Sequence, residues 1–232
     1  MLLLWFTLRK YAYPHTRYTY FSGQKVMMAI AGGMVAGLIF SMLYRFFLPF
    51  LLVNAVFMAV FEEILRLVIL NSPWFQMKFD SVFYGAALGG GTATMIISGI
   101  AYTTQYMPET SGDFWTPVML TQLVILSVSL CLLNMANGAM IGYGCGKGVI
   151  WTYTFQAIIA HVIFSIALIG VIYPYPEQVG IFYYPSLAGI LLVGVLLYIY
   201  VYRNMVENAL PENLRKQRRR EMLQMAREGR KQ

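Results

Sequence analysis

Blocks of about twenty apolar residues, long enough to cross a hydrocarbon core as a helix, recur six times along the chain, at about 26–44, 47–71, 82–105, 117–143, 149–172 and 182–202. Short breaks separate them. Arg45 and Pro49 predict a tight turn, Asn71-Ser72-Pro73 ends the second block, and loop 72–80 holds Lys78 and Asp80. Loop 106–116 carries Glu109, Asp113 and Trp115 ahead of Pro117, a residue suited to a helix's first turn. Gly142 to Gly148 closes the fourth block, and Tyr173-Pro174-Tyr175-Pro176-Glu177 follows the fifth. The pattern predicts an all-α, polytopic integral membrane bundle of about six transmembrane helices, with residues 26–202 forming one membrane domain.

The flanks differ from the blocks. Residues 1–25 interleave Trp5, Phe6, Tyr11, Tyr13, Tyr18, Tyr20 and Phe21 with Arg9, Lys10, Arg17 and Lys25 and contain no acid, the mixture of an interfacial segment on anionic lipid. The start lacks a basic leader and a small-residue cleavage site, so a cleaved signal peptide is not expected. Residues 203–232 carry nine Lys/Arg against four Glu, and Pro211-Glu212 predicts the first turn of a basic surface helix that contacts anionic lipid.

Composition agrees with a membrane protein. Of 232 residues only 12% are charged, about half the share in soluble domains. The net charge of +7 sits mostly in the two flanks, so nucleic acid is not expected as a partner. With six spans both termini share a side, together with Lys78 and Lys147, while Glu109, Asp113 and Glu177 face the other way with Arg45. The positive-inside rule then puts both termini in the cytoplasm of a plasma, or inner, membrane. Cys131 and Cys145 fall in one apolar stretch and predict packing roles.

Within the second block stand three charges, Glu62, Glu63 and Arg66. A charge at bilayer depth costs roughly 3 kcal/mol or more, so these side chains must face other helices or a wet cavity. Their spacing puts two acids and a base on one helix face. His161, Asn134 and Asn137 lie at a similar depth, which predicts a polar pocket opening towards the cytoplasm. One reading is structural, a buried ion pair with hydrogen-bonded amides holding helices together. The other is hydrolysis, in which a carboxylate acts as general base on water and a histidine polarises the carbonyl or protonates the leaving amine. No HExxH and no Cys/His cluster supports a metal, and no cofactor is expected. The small residues of the first and third blocks (Gly32, Gly33 and Gly37; Gly85 to Gly91) predict close helix contacts, and those of the third predict a contact surface for a membrane partner.

Taken in order, Glu62-Glu63-Ile64-Leu65-Arg66, Phe79-Asp80, Tyr84-Gly85-Ala86-Ala87, Gly91-Thr92-Ala93-Thr94, Gly138 to Gly142 with Gly146-Lys147-Gly148, and His161 resemble the PrsW family of intramembrane proteases, itself related to the CAAX prenyl endopeptidases and bacteriocin-processing proteins. The resemblance covers a core of residues 47–172. It implies Glu62, Glu63 and His161 as catalytic or vestigial residues, Asn134 as an assisting one, and Arg66, Asn137, Ser165 and Ile96 as pocket residues. The chain departs from the family pattern at four places. Ile96 and Ile97 stand where the second motif has Glu and Asn, Asn134 stands for a histidine, and Ser165 follows His161 where Asp or Asn is usual. A non-catalytic accessory subunit that binds other membrane proteins, in a hetero-oligomer, is therefore the expected function. An active glutamic-type intramembrane peptidase and a carrier or small-ligand-binding subunit built around Glu62, Glu63 and Arg66 are the alternatives.

Overall fold

The computed structural model describes residues 2–13, 15–16, 19–46, 51–106, 117–172 and 179–228. Every regular element among them is helical. The turn expected at Pro49, the loop with Glu109, Asp113 and Trp115, the segment around Glu177 and the basic pair Arg230 and Lys231 lie outside the described residues.

A short helix α1 (Leu2–Leu8) and a 3-10 turn (Arg9–Tyr11) precede six long helices: α2 (Gly23–Phe46), α3 (Leu51–Leu70), α4 (Ser81–Tyr106), α5 (Pro117–Lys147), α6 (Ile150–Ile172) and α7 (Val179–Val201). Five of the six are long and apolar enough to cross a membrane, and the chain is an integral membrane protein. The exception is α3, which has the length at 20 residues but carries Glu62, Glu63 and Arg66. Its outward face is nonetheless hydrocarbon, with Leu52, Val53, Val56, Phe57, Val60, Phe61 and Val68 all exposed. Charge inside and apolar surface outside is the reverse of a water-soluble helix.

At the centre is α4. Residues 81–93 are buried without interruption, and 67% of the most apolar stretch of α4 is buried, against 22–44% in the other four apolar helices. The cause is side-chain size. Gly85 abuts the Gly138 carbonyl of α5, Gly89 the Asn134 carbonyl, and Gly142 the Ser81 carbonyl, an antiparallel register repeated every four residues. On the opposite flank Gly33 and Gly37 of α2 meet the carbonyls of Leu88 and Thr92, advancing together along both chains, so α2 and α4 run parallel. A Cβ at any of these glycines would run into backbone oxygen, which cannot move aside as a side-chain tip can. In a bilayer, where burial of apolar surface between helices contributes little, such close backbone approach is the main source of packing attraction. The small residues of α4 are thus consumed inside the chain, and the partner surface assigned to them is corrected.

Because α2 and α4 are parallel neighbours, α3 must bring the chain back between them. It packs chiefly on α6, with lighter contacts to α5, α4 and α2. The link from α5 to α6 is fixed by Gly148, whose φ of +73° favours glycine. The Val149 amide donates to the Gly144 carbonyl at 3.0 Å, closing α5 with a Schellman turn. This tight reversal sets the register of two site-bearing helices: Asn134 and His161 are equally far from it along the chain.

Beyond Val201 the helix loosens into a π turn (Tyr202–Val206) and a single turn α8 (Glu207–Ala209), and Pro211 precedes the surface helix α9 (Glu212–Glu228). The N-terminal segment docks here instead of lying freely on the bilayer. Leu4, Leu8 and Tyr11 are buried in one apolar cluster with Met205, Val206, Ala209 and Leu210, the hydroxyls of Thr7 and Tyr198 are 2.6 Å apart, and the Arg218 guanidinium lies 4.4 Å from the centre of the Tyr11 ring. Burial raises the Tyr11 phenol well above the usual tyrosine range.

The glycine contacts separate adjacent positions sharply. Gly89→Ala places its methyl against the Asn134 backbone and is expected to destabilise the bundle by about 1–3 kcal/mol. Gly90→Ala meets only the Met135 side chain, at 3.6 Å and beyond, and is expected to be neutral or to stabilise by up to about 1 kcal/mol through helix propensity. Thermal unfolding of the two variants in detergent micelles checks the contrast.

Candidate functional site

Every third or fourth residue of α3 from Met58 onward turns inward, and at Glu62, Glu63 and Arg66 that inward face becomes ionic. The three are 0%, 0% and 1% exposed. Arg66 acts as a fork: Nη1 donates to Glu63 Oε1 at 2.5 Å and Nη2 to Glu62 Oε2 at 3.1 Å. Nη2 also donates to the Asn134 side-chain oxygen, which brings in α5. Asn134 is oriented by its own amide, which donates to the Leu130 carbonyl one turn earlier at 2.8 Å.

Glu63 Oε1 is the most heavily engaged atom. Besides Arg66 it accepts from the Asn137 amide at 2.8 Å, and His161 Nδ1 of α6 lies 2.6 Å away. Asn137 also donates to the Ala157 carbonyl at 3.3 Å, tying α5 to α6 at the same level. Glu62 Oε1 accepts from the Tyr44 hydroxyl of α2 at 2.9 Å, while Glu62 Oε2 stands 3.9 Å from His161 Nε2. Four helices therefore meet on two carboxylates. Two carboxylates thus share one guanidinium and one imidazole.

Glu62, Glu63, Arg66, Asn134, Asn137 and His161 are all brought together, as their spacing and depth predict. The pocket expected to open towards the cytoplasm is instead a closed polar core, since none of the six is more than 3% exposed. Ser165 is buried one turn beyond His161 and makes none of the cluster's hydrogen bonds. Ile96 is also buried, in an apolar cluster with Met58, Leu133 and Phe164, each within four residues of a charged or polar member of the core. Hydroxyls elsewhere in the spans take no part: Thr92, Thr94, Ser98, Thr121, Ser127, Ser129 and Thr154 each donate to the carbonyl four residues earlier.

Two polar residues of the spans escape sequence reasoning. Tyr44 lies in the last turns of α2, where tyrosine ordinarily reads as an interfacial aromatic. Asn54 is buried on the same face of α3 as Glu62, two turns earlier, with its side-chain oxygen unpartnered. The eight-residue spacing from Asn54 to Glu62 is the signal that marks it. Buried atoms without a partner also include Glu63 Oε2, Arg66 Nε and Asn137 Oδ1. The carboxylate oxygens facing the cluster are occupied by Arg66, and among the described residues no group of three His, Cys, Asp or Glu is arranged to hold a metal ion.

Chemically the arrangement offers a strong, multiply anchored ion pair. A general base must hold a water, and a peptide group must come within hydrogen-bond reach of it. Here one free oxygen, Glu63 Oε2, remains, and it is enclosed by protein. Compared with protein-family models, curated proteins and solved structures, the chain matches none.

The pairing predicts an asymmetric mutational response. Arg66→Met strands two buried carboxylates and is expected to cost about 3–5 kcal/mol. The triple variant Glu62→Gln, Glu63→Gln, Arg66→Met removes all three charges together and is expected to recover much of that loss. Detergent unfolding midpoints check it, with the exposed Arg219→Gln as reference.

Proposed function

We propose that this protein is a six-span bundle of the plasma membrane, with both termini in the cytoplasm, and that it acts as a non-catalytic accessory subunit with the organisation of a PrsW-type intramembrane protease. The span count is supported by the parallel pairing of α2 and α4, since a chain that enters both from the same end must cross once more between them, and α3, at 1.5 Å per residue, is about 30 Å long. Its charges face only protein. The orientation is supported by the clustering of Lys25, Lys78, Lys147 and both terminal segments at one end of the bundle, the distribution of cytoplasmic loops.

One observation carries the accessory role: three of the four carboxylate oxygens of the two glutamates are engaged by Arg66, Tyr44, Asn137 and His161, and the fourth is enclosed, in a core closed to solvent. The loss of a carboxylate at Ile96 and of a histidine at Asn134 points the same way. A partner would be met on the apolar outer faces and on α9, whose Arg215, Lys216, Arg219 and Arg220 are exposed. The same basic face and the aromatic N-terminal segment suit anionic lipid.

A second reading, an active glutamic-type peptidase, is favoured by the 2.6 Å contact of Glu63 and His161 and by the unpartnered Glu63 Oε2. Co-expression with candidate membrane substrates separates the two. The accessory role predicts no cleavage that depends on the cluster; cleavage by the wild type that disappears in both Glu63→Gln and His161→Ala establishes the peptidase.

A further inference from the structure

At the end of the bundle that carries both terminal segments, two lysines from different elements converge on one atom. Lys25 Nζ donates to the Trp74 carbonyl at 3.2 Å, and Lys78 Nζ donates to the same oxygen at 3.0 Å. Sharing one acceptor holds two like charges within roughly 6 Å of each other, a separation at which they repel. Among the described residues neither ammonium lies within ion-pair distance of a carboxylate. The nearby acid, Asp80, directly precedes α4 and offsets that helix's N-terminal charge: its Oδ2 accepts from the Tyr84 hydroxyl at 2.6 Å, its Oδ1 is buried without a hydrogen-bond partner, and Lys25 stands 5.7 Å from that tyrosine's ring.

The start of α2 adds to the positive field. Lys25 lies in the first turn of α2, which holds no acid, so the N-terminus of that helix adds partial positive charge beside the two ammonium groups. A cation in a first turn is unfavourable unless an anion compensates it. The loop is also held in a defined shape: the Met77 amide donates to the Cys145 carbonyl at 3.2 Å, and Met77 adopts a φ of 56°, rare for a residue with a side chain. Around the lysines the surface is apolar, with Trp74 59%, Met77 68% and Met28 41% exposed.

We infer that Lys25 and Lys78, with Trp74 at their side, form a binding site for the phosphate group of an anionic membrane lipid. The headgroup phosphate supplies the charge that both ammonium groups and the start of α2 lack, and the glycerol and upper acyl chains lie along Trp74, Met77 and Met28. An indole at the headgroup level is the usual anchor of such an arrangement. A free phosphate would satisfy the charge but leave that apolar rim exposed, so the lipid is the better match. The inference rests on the membrane reading of the helices and is independent of whether the chain cuts peptides.

Native mass spectrometry of the full chain, released from nanodiscs of phosphatidylcholine alone or of equimolar phosphatidylcholine and phosphatidylglycerol, tests it. The wild type is expected to keep a phosphatidylglycerol that Lys25→Gln/Lys78→Gln retains about tenfold less or weaker still. Lys25→Arg/Lys78→Arg, which keeps both charges, is expected to hold the lipid and shows that the glutamine result is not a failure to fold. Neutralising Arg215, Lys216, Arg219 and Arg220 to glutamine is expected to leave this lipid in place, which separates the site from the basic tail. Wild-type retention by the glutamine pair, equal retention of phosphatidylcholine, or displacement of the lipid by inorganic phosphate would overturn the inference.

Discussion

Arg66 is the side chain on which the bundle turns. Two adjacent glutamates in a helix otherwise made of Leu, Val, Phe and Ile have no stable place in hydrocarbon, and a cation one turn away converts them from an obstacle into a joint. The guanidinium suits this because its planar fork reaches both carboxylates and still has a hydrogen for the Asn134 oxygen. A lysine in its place would bring one point charge and no fixed geometry. From this one residue follow the inward face of α3, the depth at which α5 and α6 present their amides and imidazole, and the reach of Tyr44 from α2.

The ionic joint depends in turn on a joint without side chains. Asn134 holds its position because its own backbone carbonyl rests against Gly89, where nothing larger than hydrogen fits. Packing of α4 between α2 and α5 and hydrogen bonding of α5 to α3 are therefore two uses of the same stretch of α5. The Schellman turn at Gly148 carries the register onward to His161. What results is a polar interior that is closed to solvent and enclosed by hydrocarbon-facing helices. That is the physical basis for reading the chain as a platform for other membrane components and not as a reaction chamber.

Much of this was legible in the residues. The block lengths gave the long helices to within a few residues at most ends, because a run of apolar residues bounded by Pro, Gly and charge leaves little freedom. Charge in an apolar block identified Glu62, Glu63 and Arg66, and equal distance from the Gly-rich turn brought Asn134 and His161 to one level. The openness of the site was not legible, since solvent access depends on how four helices close together and not on any one of them. The use of the α4 glycines was misassigned for a related reason: a small-residue stripe announces a close contact without saying whether its partner lies in the same chain. Tyr44 was missed because its ring spans a distance that residue counting ignores, and the docking of the N-terminal segment because an interfacial composition and a docked one look alike.

The central claim, that both glutamates are sealed inside the bundle, is tested most directly by carboxyl labelling of the protein in lipid vesicles with a water-soluble carbodiimide and an amine, read by mass spectrometry. The exposed Glu212 side chain, at 68% accessibility, serves as the internal reference. The account predicts modification of Glu212 with Glu62 and Glu63 left unmodified. Labelling of Glu63 to the same extent as Glu212 would contradict it.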